Sequence, residues 1–344
     1  MVRFLRRSHF WLLLVALLLG TILSSLTEDY LRGQFTTLIL QARGIEPPAL
    51  EDEKEALFDE NGIPLHYVAG KPYYDPVYIA HQARQLDDEH FIKVADWFVE
   101  NAVEREGGFL VWESNWSIPA AKAPWISCLG QNLVILALMR ADKLTGNPIY
   151  LETAQRALGA FTHDTANGGI RIVEENGGWW YEHFASPHTP PSRTLNAMAW
   201  SLVGLSAYYE YSQDPLAKEL FERGMIALKT HLPEYDAGVW SYYDPGPPLA
   251  TDEYHHQNIH SLAALYNITK EPIILEYSQR FQSYSDNHWA WVQRELIVER
   301  PFILRRFYDA SPEEIDWLIL CSTIGGVFGF LELGAMCFQR IRNP

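Results

Sequence analysis

The sequence predicts a mainly α-helical fold, an (α/α) toroid or incomplete barrel with short β-hairpins in its rim loops and transmembrane helices near both ends. Apolar residues recur at three- and four-residue spacing in eight segments between residues 77 and 296. Long loops rich in Gly, Pro and aromatic residues separate successive pairs of these segments, and two apolar runs lie outside them. A generic helical bundle is the alternative, but bundles rarely carry connections of this length.

The eight predicted helices form consecutive pairs. They cover 77–86, 90–103, 126–144, 149–162, 195–211, 215–232, 256–267 and 271–296. Strand-like stretches at 170–173 and 238–242 predict short strands or hairpins in the loops between pairs. No fixed period repeats along the chain, which argues against a short-repeat solenoid. We therefore expect one α/α domain at 76–300, preceded by an irregular lead-in at 30–75 that is rich in Pro, Gly and acidic residues.

Both ends of the chain carry an apolar run. The run at 10–26 follows three arginines, so residues 1–29 are predicted to form a signal-anchor transmembrane helix, with a cleaved signal peptide as the alternative. A second run predicts a transmembrane helix at 316–339, with a buried terminal helix as the alternative. Arginines on the outer side of each run predict cytoplasmic termini and a membrane-anchored domain in the periplasm, at the cell surface or in a secretory lumen. The lipid bilayer is then one partner, and a homodimer is left open.

Composition excludes several classes of function. The chain has 344 residues and 48% hydrophobic content, enough for a large core. Its net charge of -16 argues against nucleic acid as a partner, because such binding needs a basic face. Three cysteines are too few for a disulfide framework or a thiolate zinc site.

The loop at 177–196 concentrates the residue types of a sugar site. It carries aromatic rings, a carboxylate, an imidazole, an arginine and an amide, namely Trp180, Tyr181, Glu182, His183, Arg193 and Asn196. Aromatic faces stack on sugar rings, while Arg and Asn bind carboxylate and hydroxyl groups through directional hydrogen bonds. The loop therefore predicts one wall of a carbohydrate cleft. The alternative is a Trp-rich loop that only fills the core.

Other patterns narrow the chemistry. His256 and His260 stand four residues apart on a predicted helix, but no HExxH pattern and no third ligand accompany them, so no metal is expected. No Gly-rich phosphate loop and no G-x-S-x-G motif is present. Acidic residues in the loops leave a glycosidase open, because that reaction needs paired carboxylates. The candidates are Glu113, Glu182, Asp236, Asp244, Asp252 and Glu253.

Several short motifs occur in order between residues 125 and 277. They include Trp125-x-Ser127-x-x-x-Gln131, Trp180-Tyr181-Glu182, Pro191-Ser192-x-x-Leu195-Asn196, Tyr243-Asp244, and Tyr254-His255 leading to Ile259. In these motifs and their spacing the chain resembles the C-terminal catalytic domain of D-glucuronyl C5-epimerases, enzymes that act on heparosan and heparan chains. The resemblance implies an isomerase without a cofactor, acting on a uronate-containing anionic polysaccharide.

The resemblance also implies roles for individual residues. C5 epimerisation removes a proton beside a carboxylate and returns one to the opposite face, and in the family tyrosines carry these protons. Tyr243 and Tyr254 fall on two of the tyrosine positions, with Glu182 and His183 expected to assist. The expected sugar-binding residues are Trp125, Gln131, Trp180, Tyr181, Arg193, Asn196 and His255.

The sequence departs from the family pattern at three positions. Phe184 stands where the family has a third tyrosine, His183 where it has a glutamate, and Gly246 where it has an arginine. A phenyl ring cannot transfer a proton, so we expect His183 to supply a base or donor and Arg193 to replace the missing carboxylate clamp. Two other hypotheses stay open: a polysaccharide lyase or glycoside hydrolase of the same architecture, and a non-catalytic glycan-binding envelope protein.

Overall fold

The computed structural model describes residues 2–26, 57–68, 71–117, 121–187, 189–246, 249–287, 321–331 and 333. The chain divides into two compact units. One consists of residues 1–52 and 300–344, and the other of residues 53–299. All the helix pairs and candidate site residues described below belong to the second unit.

Two helical segments are described in the first unit. Helix α1 spans Val2–Leu26, and residues 321–331 are also helical. None of the described helices combines the length with the apolar character that a bilayer span requires. The predicted transmembrane helices at 1–29 and 316–339 are therefore not supported, and half of the second lies outside the described residues. The location of the domain outside the cytoplasm and the homodimer stay predictions.

The second unit is built from four helical hairpins. Their helices are α2 (Pro76–Ala83) with α3 (Asp88–Glu100), α4 (Cys128–Thr145) with α5 (Pro148–Ala157), α6 (Leu195–Ser212) with α7 (Pro215–His231), and α8 (Asp252–Thr269) with α9 (Pro272–Asp286). The first helices of successive hairpins contact one another, and each second helix packs on its own first helix. This is the arrangement of an open α/α toroid. The mainly α prediction is confirmed.

Helix boundaries follow the capping residues. Helices α2, α5, α7 and α9 each begin with a proline, whose fixed φ angle and missing N–H suit the first helical position. Ser127 caps α4 by accepting a hydrogen bond from the Gly130 N–H at 3.1 Å. The predicted helix at 149–162 is shorter in the structure, because α5 gives way to a 3-10 turn at Leu158–Phe161.

Short antiparallel strands lie between the helices. Strands β4 (Val103–Glu104) and β5 (Leu110–Val111) form one hairpin, and β6 (Arg171–Val173) and β7 (Trp179–Tyr181) form another. The hairpin predicted around 170–173 is confirmed. The stretch at 238–242 forms only isolated bridges, Asp236↔Ser241 and Tyr242↔Leu249, around a turn at Gly238 with φ of 80°.

Part of the segment expected to be irregular is ordered as a sheet. Strands β1 (Leu57–Phe58), β2 (Pro64–Val68) and β3 (Lys71–Tyr73) pair in antiparallel fashion within the predicted lead-in at 30–75. The turn from β1 to β2 is fixed by Asp59, whose Oδ1 accepts hydrogen bonds from the N–H groups of Asn61 at 2.9 Å and Ile63 at 2.8 Å. Acidic and glycine residues here close a hairpin turn rather than disrupt structure.

The first helices of the second and third hairpins approach closely. Asn132 of α4 is buried against Gly204 of α6, and its Nδ2 donates to the Trp200 carbonyl at 3.3 Å. A Cβ atom at Gly204 would lie 2.0 Å from Asn132 Oδ1 and 2.5 Å from its Cγ. This contact sets how closely the two helices pack.

We expect Gly204→Ala to destabilise the protein by about 1–3 kcal/mol, because the added methyl forces α4 and α6 apart or displaces a buried amide. The measurement is the urea midpoint followed by far-UV circular dichroism. Gly329→Ala is the matched control, since nothing lies within 4 Å of a Cβ at this helical position. A midpoint for Gly204→Ala at or above that of the wild type would contradict the close packing.

Candidate active site

The candidate site lies at the N-terminal ends of the first helices of the hairpins. Helices α2, α4, α6 and α8 begin after Asp75, Ser127, Thr194 and Thr251, respectively. The first three of these residues belong to one polar cluster that includes Glu182. Ser127 contacts His183, and Asp75 acts on the pKa of His183. Thr194 contacts Ser192, whose hydroxyl binds Glu182. Because helix N-termini carry unpaired N–H groups and a partial positive charge, this rim favours anionic groups.

Glu182 is the best-satisfied acid of the cluster. It is only 1% exposed, directly after strand β7. Its Oε1 accepts hydrogen bonds from the His183 N–H at 2.9 Å and the Ser192 hydroxyl at 2.7 Å, and its Oε2 accepts one from the Arg193 N–H at 3.0 Å. Arg193 adopts a φ of 58°, an uncommon conformation for a non-glycine residue. The chain thus bends sharply where one of these amides binds the carboxylate.

His183 lies beside the start of helix α4. Its Nδ1 is 2.8 Å from the Ser127 hydroxyl oxygen, and no described side chain hydrogen-bonds its Nε2. The side chain is half-buried. Burial lowers the pKa of the imidazole to about 4, while the nearby Asp75 acts in the opposite direction. His183 is therefore neutral at physiological pH, and its Nε2 has no hydrogen-bond partner among the residues that the structure describes.

Tyr243 and Tyr254 come together although 11 positions apart in the sequence. Their ring centroids are 4.6 Å apart with an interplanar angle of 54°. Tyr254 is 37% exposed and Tyr243 is half-buried. Burial raises the pKa of both phenols above 10.0, so both are protonated at neutral pH. Tyr254 is therefore the more accessible phenol of the pair.

Asp244 connects the tyrosines to the Glu182 cluster. Its Oδ1 accepts a hydrogen bond from the Thr194 hydroxyl at 2.8 Å, and the Thr194 and Ser192 hydroxyl oxygens are 3.2 Å apart. Burial raises the pKa of Asp244 from 3.8 to about 6; the Thr194 hydrogen bond lowers it and the charge of Glu182 raises it further. Tyr243, Asp244, Thr194, Ser192 and Glu182 are therefore neighbours in one network.

A row of rings, which we call the aromatic wall, runs from His183 along the rim. It consists of Phe184, Trp125, Trp116, His66 and Tyr78, with centroid separations of 5.3, 5.5, 5.5 and 5.0 Å between successive members. Trp125 is 3% exposed, whereas Phe184 and Trp116 are half-buried. The accessible rings for stacking on a sugar are thus those on either side of the predicted Trp125.

Four of the predicted sugar-binding residues are fully buried. Trp180 and Tyr181 are 0% exposed, and the Tyr181 hydroxyl donates to the Leu220 carbonyl at 2.7 Å. Gln131 is buried and donates to the Trp112 carbonyl at 3.1 Å. His255 is buried, with Nδ1 2.7 Å from the Ser241 hydroxyl oxygen. In this structure these four side chains pack in the interior and are not accessible to a sugar.

Arg193 and Asn196, the two remaining predicted sugar-binding residues, are less exposed than residues that bind a substrate carboxylate directly would be. Arg193 pairs with Glu174 through an Nη2–Oε1 distance of 2.8 Å, and its Nη1 is 3.0 Å from His231 Nε2. Asn196 is 5% exposed, in the first turn of α6. The Arg193 guanidinium would have to leave Glu174 to bind a substrate carboxylate, and its role as a clamp stays a prediction.

Residue types alone missed several members of the site. Thr194 was not among the candidates, and neither were the aromatic-wall members His66 and Trp116. A threonine directly before an apolar helix is typical of an N-cap, but the Thr194 side chain makes no capping hydrogen bond to α6. It binds Asp244, 50 residues away, instead. Local sequence signals could not have found this contact.

A small pocket with a volume of about 20 Å³ is lined in part by Trp125. It is also lined by Arg105, Pro124, Gly168 and Gly169. Arg105 is paired there with Glu113 at 2.5 Å. Neither tyrosine of the pair and neither acid of the network lines this pocket.

The remaining metal and carboxylate candidates lie apart from this network. The rings of His256 and His260 have centroids 6.4 Å apart, and the described ranges contain no group of three side chains suited to a metal ion. Asp236 pairs with Arg280 at 2.9 Å. Asp252 and Glu253 are exposed in the first turn of α8. Of the acidic candidates, only Glu182 and Asp244 belong to the network.

Comparison with known sequences places the site within a matched region. A family model described as D-glucuronyl C5-epimerase C-terminus matches residues 106–283. A D-glucuronyl C5-epimerase from Caenorhabditis elegans is 30% identical over 236 residues, which cover 59% of this chain and 36% of that protein. An uncharacterized protein from Methanocaldococcus jannaschii is 30% identical over 199 residues, covering 56% of this chain and 64% of that protein. The chain therefore spans less than two thirds of either relative.

Solved structures with a similar course of the chain include two sugar-active enzymes. Cellobiose 2-epimerase from Spirochaeta thermophila has a TM-score of 0.41 and 16% identity, covering 72% of this chain and 68% of that chain. The unsaturated glucuronyl hydrolase from Bacillus sp. GL1 has a TM-score of 0.39 and 14% identity, covering 61% and 59%, respectively. Neither likeness bears on the chemistry of the rim.

The raised pKa of Asp244 predicts a pH-dependent effect of Asp244→Asn on stability. The folded-state pKa of about 6 lies above the usual 3.8, so ionisation costs the folded state more than the unfolded state. The cost is absent below about pH 4, grows between pH 4 and 6, and is complete above pH 6. Relative to the wild type, the variant should therefore gain on the order of 1 kcal/mol as the pH rises from 4 to 7, after allowance for partial solvent exposure.

Urea midpoints of the wild type and Asp244→Asn between pH 4 and 8 measure this difference. Asp286→Asn is the control, because Asp286 lies at the exposed end of α9 and its pairing with Gln282 is a surface contact. A difference that does not change between pH 4 and 7 would show that burial does not raise the Asp244 pKa.

Proposed function

The chain belongs to the D-glucuronyl C5-epimerase C-terminal family, and on that premise we propose that it inverts C5 of uronate residues in an anionic polysaccharide. The convergence of Tyr243, Tyr254, Glu182 and His183 on one rim carries the proposal. Helix α4 links them: its cap Ser127 binds His183, and the Cys128 N–H donates to the Glu182 carbonyl at 3.0 Å. The same Cys128 thiol acts on the pKa of Tyr243.

The tyrosine pair serves one face of the sugar. With ring centroids 4.6 Å apart, Tyr243 and Tyr254 leave no room for a sugar ring between them. Inversion needs a second group on the opposite face, and we assign His183 to it because its imidazole is neutral and its Nε2 is free. Tyr254, the more exposed phenol, is the group that reaches C5 from the tyrosine side.

The proposed step moves two protons and creates one carbanion. His183 Nε2 takes the C5 proton, and the electron pair of the broken C–H bond delocalises into the adjacent carboxylate as a dianionic enolate. The Tyr254 hydroxyl then delivers its proton to the other face of C5, which forms the new C–H bond and leaves a phenolate. For this tautomer His183 donates its Nδ1–H to Ser127, whose oxygen also accepts from the Gly130 N–H.

The rim supplies positive potential although the chain as a whole is acidic. The net charge of -16 repels an anionic glycan at long range, whereas the N-terminal ends of α4, α6 and α8 favour negative charge locally. Arg193 is engaged with Glu174. Stabilisation of the enolate therefore relies on the phenol hydroxyls and the helix ends.

The position of Phe184 fits this division of labour. Its ring packs on Trp125 and against His183, at centroid distances of 5.3 and 4.1 Å. A phenyl ring here helps exclude water from the imidazole, while proton transfer passes to the histidine. The departure from the family tyrosine thus accompanies a change in the second proton carrier.

A glycoside hydrolase is less well supported by the acids of the rim. Glu182 is 1% exposed and its oxygens are occupied by three N–H and hydroxyl donors at 3.0 Å or less. An acid catalyst must reach a glycosidic oxygen, and this carboxylate is held away from solvent. Its geometry suits an electrostatic anchor.

Incubation of heparosan with the protein in deuterated water tests the proposal. We expect deuterium at C5 of uronate residues, and a loss of at least about 10²-fold in exchange rate for Tyr254→Phe, because the phenol proton is removed without loss of the ring. Tyr266→Phe on the same helix is the matched control, since its ring packs under Lys270, 5.2 Å away, outside the site.

Other outcomes assign the rival functions. New absorbance from an unsaturated uronate would identify a lyase, and new reducing ends would identify a hydrolase. Binding that survives Tyr254→Phe without any turnover would identify a glycan-binding protein. Absence of C5 deuterium with heparosan, alginate and related uronate polymers would contradict the epimerase proposal.

A further inference from the structure

The hydroxyls of Ser192 and Thr194 bridge two carboxyl groups. Ser192 Oγ is 2.7 Å from Glu182 Oε1, the two hydroxyl oxygens are 3.2 Å apart, and Thr194 Oγ1 is 2.8 Å from Asp244 Oδ1. Thr194 is fully buried, and Ser192 is half-buried. The result is an unbroken line of four oxygen-bearing side chains with three contacts of hydrogen-bond length.

The three contacts of this line require three protons if each is to be a hydrogen bond. Each hydroxyl has one proton, so Ser192 and Thr194 together provide two protons for three contacts. With both carboxyls ionised, one contact must lack a proton. One additional proton on either carboxyl completes the line, with every hydroxyl donating in the same direction. The line therefore favours a state in which the two acids share a single proton.

The surroundings of the two acids place that proton at the Asp244 end. Glu182 accepts N–H hydrogen bonds from His183 and Arg193 in addition to the Ser192 hydroxyl, and such donors stabilise a carboxylate anion. Among the described residues, the Thr194 hydroxyl is the one hydrogen-bond donor to Asp244. Consistent with this, the pKa of Asp244 is raised to about 6. Tyr243, Tyr235 and Cys128 are the other ionisable neighbours of the line, and the Arg193 N–H donates to Glu182.

We propose that Ser192 and Thr194 join Glu182 and Asp244 into one hydrogen-bonded chain that stores a proton beside Tyr243. The use of this proton rests on the proposed function, whereas its existence does not. In this chain Ser192 and Thr194 are positioning residues, and Asp244 is the reservoir.

At a pH near or below 6, where Asp244 is protonated, the stored proton can reset the tyrosine pair after a turnover. A phenolate at Tyr254 takes the proton of the adjacent Tyr243, whose oxygen is then reprotonated by the Thr194 hydroxyl, and Thr194 takes the proton of Asp244. Three O–H bonds break and three form, and the negative charge moves from Tyr254 to Asp244. Thr194 is suited to this because its hydroxyl is 2.8 Å from Asp244 and acts on the pKa of Tyr243. The cycle closes when the imidazole releases its proton to solvent and Asp244 takes one up from solvent.

Infrared difference spectra between pH 5 and 8 test the chain without any substrate. We expect a protonated-carboxyl C=O band that appears as the pH falls through about 6 and that is lost in Asp244→Asn. The band should shift to higher wavenumber in Thr194→Val, which lacks the hydroxyl, and keep its wild-type position in Thr194→Ser, which retains it. Ser192→Ala is the decisive variant, because Ser192 does not touch Asp244 and can shift the band only through Thr194.

A band that Ser192→Ala leaves unchanged, or the absence of any band assigned to Asp244, would overturn the proposal. If Thr194→Val does not fold, Ser192→Ala and Thr194→Ser still decide the question. A merely structural role of Ser192 would alter stability without moving the Asp244 band.

Kinetics separate this inference from the proposed function. Where C5 exchange occurs, Thr194→Val should lower kcat on the order of 10²-fold with KM unchanged, and Thr194→Ser should restore most of the rate. The proton inventory in mixed H2O and D2O should be curved for the wild type and linear for Thr194→Val. A shifted band without any C5 exchange would support the hydrogen-bonded chain and contradict the epimerase proposal. C5 exchange with an unshifted band would contradict the hydrogen-bonded chain alone.

Discussion

Burial of the Glu182 carboxylate is the constraint on which the rim depends. A buried charge is tolerated only where donors surround it, and here the donors come from its own loop and from the segment that leads into α6. The requirement fixes the backbone at Arg193 in an unusual conformation and places Ser192 and Thr194 between two acids. The hydrogen bonds of the Glu182 carboxylate thus order the end of strand β7, the loop after it and the start of helix α6.

The hairpin architecture makes that convergence possible. Because the first helices of successive hairpins pack side by side, their N-terminal ends meet at one rim together with the long loops. Residues separated by more than a hundred positions in the sequence, such as Ser127 and Tyr243, thereby become neighbours of the same acid network. Close packing at Gly204 holds two of these helices at the separation that the network needs.

Periodicity was sufficient to predict the four helix pairs, because apolar residues recur at helical spacing and capping residues and prolines interrupt the pattern. The family motifs named Tyr243 and Tyr254, whereas the contact between their rings is seen only in the structure. Exposure could not be predicted: Trp180, Tyr181 and His255 have the composition of a sugar site, yet long-range packing buries them. The contact between Thr194 and Asp244 depends on tertiary structure alone. The strands at 57–73 escaped detection because their turn residues are acidic.

A crystal structure with a bound heparosan oligosaccharide is the sharpest test of the proposed site. We expect one uronate ring on the rim with C5 between the Tyr254 hydroxyl and His183 Nε2, on opposite faces of the sugar. We also expect Glu182 to stay buried and bound to the Arg193 N–H. An oligosaccharide bound elsewhere on the protein, with no sugar atom near Tyr254 or His183, would contradict the assignment of these two side chains to C5.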